Sequence, residues 1–353
     1  MLESRHVFLD TEVFVSAGFN FAAGSTLARL ADVAREGRIA VHVTDVVVAE
    51  VQNRIEVAIS DAQAALMRAR GKARALRNVG ANPVPQLFDD FDLSEAEKEL
   101  QKSLEMFLES SRANVISTEG VSILDVLEDH HRTRPPFGEG KKNEFPDAFT
   151  CRALKRWCGE TGEKLYVVSR DADLARVCKE DERLVLVESV AEVLEELLRL
   201  TEPGLPELAH QVLKREWEGV AKRIGDDFEG LGFVLLDQWG DVLEVIVNGV
   251  ELLDSSVVGV EEDNVSATLR VQVDFDAELS YDDLETATYD SEDKRLIPWR
   301  TIERSVRRTE DIDVGVTILM ARDNPAAGQV EDVSVEATDI EVNADEWEER
   351  WWD

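Results

Sequence analysis

The amino-acid sequence predicts an α/β fold: a central parallel sheet with helices on both faces over residues 1–200, followed by a mostly antiparallel β domain. Two observations predict this. Residues 1–200 alternate short apolar runs of strand length with helical stretches, the pattern of a parallel sheet covered on both sides. From residue 232 the pattern turns to period two, as in Ser266-Ala267-Thr268-Leu269-Arg270-Val271-Gln272-Val273 and Val314-Gly315-Val316-Thr317-Ile318-Leu319. Such alternation reads as antiparallel strands with one buried face, and a small sandwich or barrel is the expected closure. Between the two lies Thr201-Glu202-Pro203-Gly204-Leu205-Pro206, a linker signal, and then a helix over about 207–224. The expected division is therefore 1–200, a linker and helix over 201–230, and an acidic β-rich domain over 231–353. A chain of 353 residues also exceeds the roughly 250 to 300 that one core fills.

The elements of the first region follow in order. His6-Val7-Phe8-Leu9-Asp10 is a buried strand with an abrupt polar stop. A second strand spans 38–43, and Thr44 caps the helix after it, which carries Glu50. From Glu50 to Asn114 the pattern is helical, interrupted by Asn82-Pro83-Val84-Pro85, so two long helices form a hairpin beside the sheet. A strand over 114–117 follows. Pro146 favours the first position of a helix over 147–158, which places Asp147 at its positive dipole end. Strands over 164–169 and 183–187 and a helix over 189–200 close the region. Asp171 and Asp173 come just after the first of these strands.

Asp10, Glu50, Asp147 and Asp171 thus fall where an open parallel sheet delivers side chains to one crevice, outside the carboxyl ends of its strands. Clustered carboxylates repel one another and are stable only with bound cations or raised pKa values. Hard oxygen donors select Mg²⁺ or Mn²⁺, ions that activate water and neutralise charge on a phosphodiester. Each residue alone has a plainer reading: Asp10 and Asp171 as turn or capping residues, Glu50 as a solvated helix residue, Asp147 as a first-turn acid.

The segments Phe8-Leu9-Asp10-Thr11, Thr44 to Glu50, Gly140-Lys141-Lys142-Asn143-Glu144-Phe145-Pro146-Asp147-Ala148 and Val168-Ser169-Arg170-Asp171-Ala172-Asp173-Leu174 together resemble the PIN domain of metal-dependent ribonucleases. The nearest likeness is to a bacterial PIN-like branch with a Gly-Lys-Lys-x-Glu-x-x-Asp stretch, and it covers roughly residues 5–190. The resemblance implies a three-layer α/β/α sandwich, with Asp10, Glu50, Asp147 and Asp171 as catalytic, metal-binding carboxylates. Asp173 would be a supporting or alternative ligand. It also implies Mg²⁺ or Mn²⁺, single-stranded nucleic acid with RNA favoured over DNA, pairing into a homodimer, and membership among toxins or defence effectors. The stretch between Glu50 and Asp147 is longer than in compact toxin-type members, which leaves the substrate class open.

Charge narrows the partners. The net charge is −35, split as 26 basic and 35 acidic residues over 1–200 and 13 basic and 39 acidic over 201–353. Polyanion binding depends on Lys and Arg releasing counterions, so nucleic-acid contact belongs to the first region. Arg68, Arg70, Lys72, Arg74 and Arg77 supply one basic stretch, on a helix that reads equally well as a solvated face. Arg132, Arg134, Lys141 and Lys142 flank the loop before Asp147, and Lys141 or Lys142 is expected to reach a phosphate. Salt adaptation or a GC-rich source is the alternative explanation for an acidic chain with 28 Arg against 11 Lys. The ending Trp347-Glu348-Glu349-Arg350-Trp351-Trp352-Asp353 suggests a protein-partner anchor or a tail folded on its own domain.

Cys151, Cys158 and Cys178 form no metal or disulfide frame and read as buried thiols, while His130 and His131 read as surface residues. No apolar run reaches the roughly 18 residues of a membrane span, and the start lacks a signal peptide, so a cytoplasmic protein is expected. The competing reading is a non-catalytic interaction protein whose acidic C-terminal domain binds a protein partner or mimics nucleic acid. A phosphotransferase with a covalent aspartate would need Asp-x-Asp-x-Thr after the first strand, and Asp10-Thr11-Glu12 lacks it.

Overall fold

The structure, a computed structural model, describes residues 4–80, 84–89, 92–138, 144–236, 238, 240–261, 263–283, 286–290, 295–297, 299–320, 327–335 and 339–344. The chain divides into two compact units, Met1–Glu196 and Leu197–Asp353. Among the described residues no helix is long and apolar enough to cross a membrane.

The first unit runs β1 (His6–Leu9), α1 (Thr11–Ser16), α2 (Thr26–Arg35), β2 (Ala40–Thr44), α3 (Asp45–Lys72), α4 (Ser94–Ser110), β3 (Asn114–Ile116), α5 (Ile123–His131), α6 (Phe145–Thr161), β4 (Leu165–Val168), α7 (Ala172–Glu180), β5 (Leu184–Val187) and α8 (Val190–Thr201), which continues past Glu196. The five strands form one parallel sheet in the order β3-β2-β1-β4-β5. This is the central sheet with flanking helices that the sequence predicts. Strand order reverses between β1 and β4, where Val7 pairs with both Val41 and Tyr166, and the carboxyl ends of these two strands are where an open α/β sheet places its ligand crevice. Val7, Phe8, Leu9, Val41, Val43, Leu165, Val167 and Val168 are buried, which is why β1 and β4 read as apolar runs, while the buried His42 interrupts the run of β2.

Thr44 ends β2 and caps α3, its hydroxyl accepting from the Val47 amide at 3.2 Å. The hairpin expected beside the sheet is α3 and α4, joined through short 3-10 turns at Ala73–Asn78 and Pro85–Phe88. α6 starts two residues earlier than the sequence predicts because Pro146 sits inside its first turn rather than before it. All three cysteines are buried and free.

The second unit contains α9 (Leu205–Glu229), β6 (Gly232–Leu235), β7 (Gly240–Glu261), β8 (Asn264–Asp282), β9 (Thr288–Asp290), β10 (Arg295–Ile297), β11 (Thr301–Leu319), β12 (Gln329–Val335) and β13 (Asp339–Val342). Long antiparallel strands form one open sheet in the order β12-β11-β8-β7, with β6 and β13 as a separate parallel pair. Among the described residues these strands form neither a sandwich nor a barrel. The apolar face of β8, from Val265 to Tyr281, packs on Ala209, Val212, Leu213, Val220, Ile224 and Phe228 of α9, so a helix does the covering that a second sheet would do. The edge strand β7 is interrupted by four bulges, at Val242/Glu244, Val247/Gly249, Leu252/Asp254 and Val257/Gly259. Bulges at an edge bend and twist it away from unwanted pairing.

Candidate metal centre

Asp10 is the first residue after β1 and the cap of α1. Its Oδ1 accepts from the Thr11 amide at 2.8 Å, and its Oδ2 accepts from the Ser169 hydroxyl at 2.8 Å. The Asp10 amide in turn donates to the Val168 carbonyl at 3.3 Å, which fastens the end of β1 to the end of β4. Ser169 is fully buried and accepts from the Asp171 amide at 3.0 Å, so one hydroxyl ties Asp10 to the Asp171 backbone. Asp171 caps α7 with Oδ1, which accepts from the amides of Asp173 and Leu174. The plainer reading of Asp171 as a cap is therefore true of one of its two oxygens. Glu50, the sixth residue of α3, accepts through Oε2 from the Thr11 hydroxyl at 2.7 Å. Asp147 stands in the first turn of α6.

Pairs of these groups lie close enough to influence one another's ionisation. The Asp10 carboxyl is pushed up to about 6 by burial, against the lowering effect of the Ser169 and Thr11 hydrogen bonds, with the charges of Glu12 and Asp171 adding to the rise. Asp147 is pushed up to about 8, first by burial, then by a hydrogen bond with Glu144 and by the charges of Glu50, Asp10 and Glu144. Asp147 thus senses Glu50 and Asp10, and Asp10 senses Asp171. Among the described residues no group of three or more His, Cys, Asp or Glu side chains is placed so that it could hold a metal ion. By chemistry the donor set suits a hard divalent cation: all four groups are carboxylates, and a nearby cation would favour the ionised forms that burial and neighbouring acids disfavour at Asp10 and Asp147.

The remaining site candidates separate. Asp173 is buried beside Asp171, but its carboxylate is ion-paired with Arg176, which also donates to the Pro136 carbonyl at 3.4 Å. Arg68 and Arg74 are exposed on the hairpin, while Arg70 donates to the Asp89 carbonyl at 3.1 Å. Lys141, Lys142, the side chain of Lys72 and the tail tryptophans lie outside the described residues. Arg132 pairs with Glu128 at 3.0 Å and Arg134 with Asp129 at 3.3 Å, so both side chains are committed to α5. His130 is not a surface residue: half-buried, it stacks on Phe145 at 5.2 Å and meets Phe137 edge-on at 5.1 Å. An imidazole is apolar enough over its faces to serve as an aromatic there.

Thr11, Ser169 and Glu144 touch the candidate ligands, and sequence reasoning gave them no role. Their signal was adjacency: a hydroxyl directly after Asp10, a hydroxyl two residues before Asp171, an acid three residues before Asp147.

A family model described as a PIN domain matches residues 7–174, which span every residue of the crevice. No curated protein matches the chain.

Proposed function

We propose, from the premise that residues 7–174 form a PIN-like domain of nuclease type, that this chain is a metal-dependent nuclease of single-stranded nucleic acid, with RNA favoured. The observation that supports this most is the pair of buried carboxyls, Asp10 and Asp147, pushed well above the ordinary range first by burial and further by neighbouring acids. Asp10, Glu50, Asp147 and Asp171 would hold the metal. Bound Mg²⁺ or Mn²⁺ would supply a water of lowered pKa and neutralise charge on the phosphodiester.

The protein's own part is positioning. Ser169 and the Thr11 amide hold both oxygens of Asp10, the Thr11 hydroxyl orients Glu50, and the cap of α7 orients Asp171. Each of these carboxylates keeps a lone pair for a ligand. Burial, reinforced by the Glu144 hydrogen bond, favours the protonated form of Asp147, and a bound cation would favour the ionised one. In-line displacement of the 3′ oxygen would leave a 5′-phosphate. Growth arrest of a bacterial host on expression is the corresponding cellular outcome.

The test is cleavage of end-labelled RNA and DNA by the purified chain with Mn²⁺, with EDTA, and by the Asp10→Asn, Asp147→Asn double variant. Metal-dependent cutting is expected, reduced at least about a hundredfold in the variant, since removing groups that stabilise transition-state charge costs that much or more. Products ending in 5′-hydroxyl and cyclic phosphate, or cutting indifferent to the variant, would sink the proposal. The second reading, a protein-binding role, draws on the 39 acidic against 13 basic residues of 201–353.

A further inference from the structure

We infer that the far half of α3 and the turn after it form a phosphate-binding arm, which grips the nucleic-acid strand some distance from the carboxylate crevice. Charge distribution is the first argument. The chain carries 74 acidic residues in 353, yet none lies between Asp61 and Asp89, a stretch that holds Arg68, Arg70, Lys72, Arg74 and Arg77. At the average density that stretch would contain several acids, so its one-signed charge is a departure from the chain as a whole.

Geometry is the second argument. α3 is one uninterrupted helix from Asp45 to Lys72, and it carries both Glu50 and Arg68. Eighteen residues separate them, five whole turns at 3.6 residues each, so Arg68 projects from the same helix face as Glu50 and lies about 27 Å along the axis. Arg74 and Arg77 follow in the 3-10 turn Ala73–Asn78, which returns the chain. Arg68, Arg74 and Arg77 are exposed and make no hydrogen bond or ion pair among the described residues. Arg70 has a different task, since it donates to the Asp89 carbonyl and holds the returning segment. A stacked strand advances about 3.4 Å per nucleotide, so a strand lying along this face meets the arm about eight nucleotides from the crevice.

The ligand is the phosphodiester backbone, because guanidinium groups recognise phosphate oxygens and the arm offers no aromatic side chain for bases. The inference rests on the nuclease reading for the direction of the strand, and binding is measured separately from cleavage.

The experiment uses the full chain with Asp10→Asn and Asp147→Asn, titrated by fluorescence anisotropy against labelled 30-nucleotide and 6-nucleotide RNA between 50 and 200 mM salt. Arg68→Gln, Arg74→Gln, Arg77→Gln is compared with the same positions changed to Lys. Three lost phosphate contacts reduce the salt slope by about 2, so the intact arm should lose about 16-fold more affinity than the Gln variant over that range. The Lys variant should restore the slope, and the 6-mer, too short to span arm and crevice together, should bind the intact chain more weakly than the 30-mer. An unchanged slope overturns the proposal. So does a Gln variant that alters only self-association in sedimentation, which would make the occupant an acidic surface of a second copy. Arm-dependent binding without cleavage by the unsubstituted chain refutes the nuclease alone; cleavage with arm-independent binding refutes the arm alone.

Discussion

Asp147 connects the electrostatics of one side chain to a measurable property of the whole protein. Its folded carboxyl titrates at about 8 against an ordinary value of 3.8, because burial, the Glu144 hydrogen bond and the Glu50 and Asp10 charges all disfavour ionisation. A carboxyl raised in the folded state contributes stability that is complete below pH 3.8 and is lost as pH rises towards 8, since the unfolded chain ionises freely and the folded one does not. Metal-free protein in EDTA should therefore become less stable relative to Asp147→Asn as pH rises from 5 to 8. Thermal unfolding of both proteins across that range measures it, and a melting difference that ignores pH would show the crowding to be wrong. A bound cation would reverse the sign, because it would favour the ionised form, so any metal affinity should rise over the same window. Asp10 and Asp171 were readable in the sequence because an acid one to three residues after an apolar run marks the end of a strand. The roles of Thr11 and Ser169 were not, because their partners lie 39 and 159 positions away and only the crossing of strands brings them together.

Thr44 shows how elements share the work of building the crevice. It is fully buried at the joint of β2 and α3, caps the Val47 amide, and meets the Thr150 hydroxyl of α6 at 3.1 Å. α3 carries Glu50 and α6 carries Asp147, so this hydroxyl pair joins the two helices that deliver those acids. Thr44→Val keeps the shape, removes the cap, and leaves the buried Thr150 hydroxyl short of a partner. The expected cost is about 2 to 3 kcal/mol, from roughly 1 for the cap and 1 to 2 for the unsatisfied hydroxyl. A urea midpoint unchanged from the parent would show that other packing sets the joint. The sheet itself was legible because fully buried parallel strands leave unbroken apolar runs. β7 was legible only in pieces: its inward residues Val242, Val245, Val247, Val250 and Leu252 step by three and two in turn, since each bulge adds a residue. Period-two reading finds Val245 and Val247 and then loses register. The α9 layer was missed as a layer because a helix after a linker signal reads as a connection, although its apolar face needed a sheet to cover.

At the scale of the whole molecule, charge is divided as sharply as structure. Residues 1–200 carry a net −9 and residues 201–353 a net −26, while each unit buries apolar residues of its own. A tethered polyanion lowers the local concentration of any other polyanion, so the second unit should oppose nucleic-acid binding by the first. That repulsion acts over about 10 Å at 0.1 M salt and about 3 Å at 1 M. A chain ending at Thr201, where α8 ends, should bind single-stranded RNA several-fold more tightly than the full chain at 50 mM salt, and the two should converge as salt rises. The comparison requires the shortened chain to unfold cooperatively, which a thermal scan establishes first. Convergence would assign the second unit a restraining role that an incoming basic partner could relieve by neutralising it. Equal affinity at every salt concentration would place the acidity of 201–353 out of electrostatic reach of the crevice and leave protein recognition as the use of that surface.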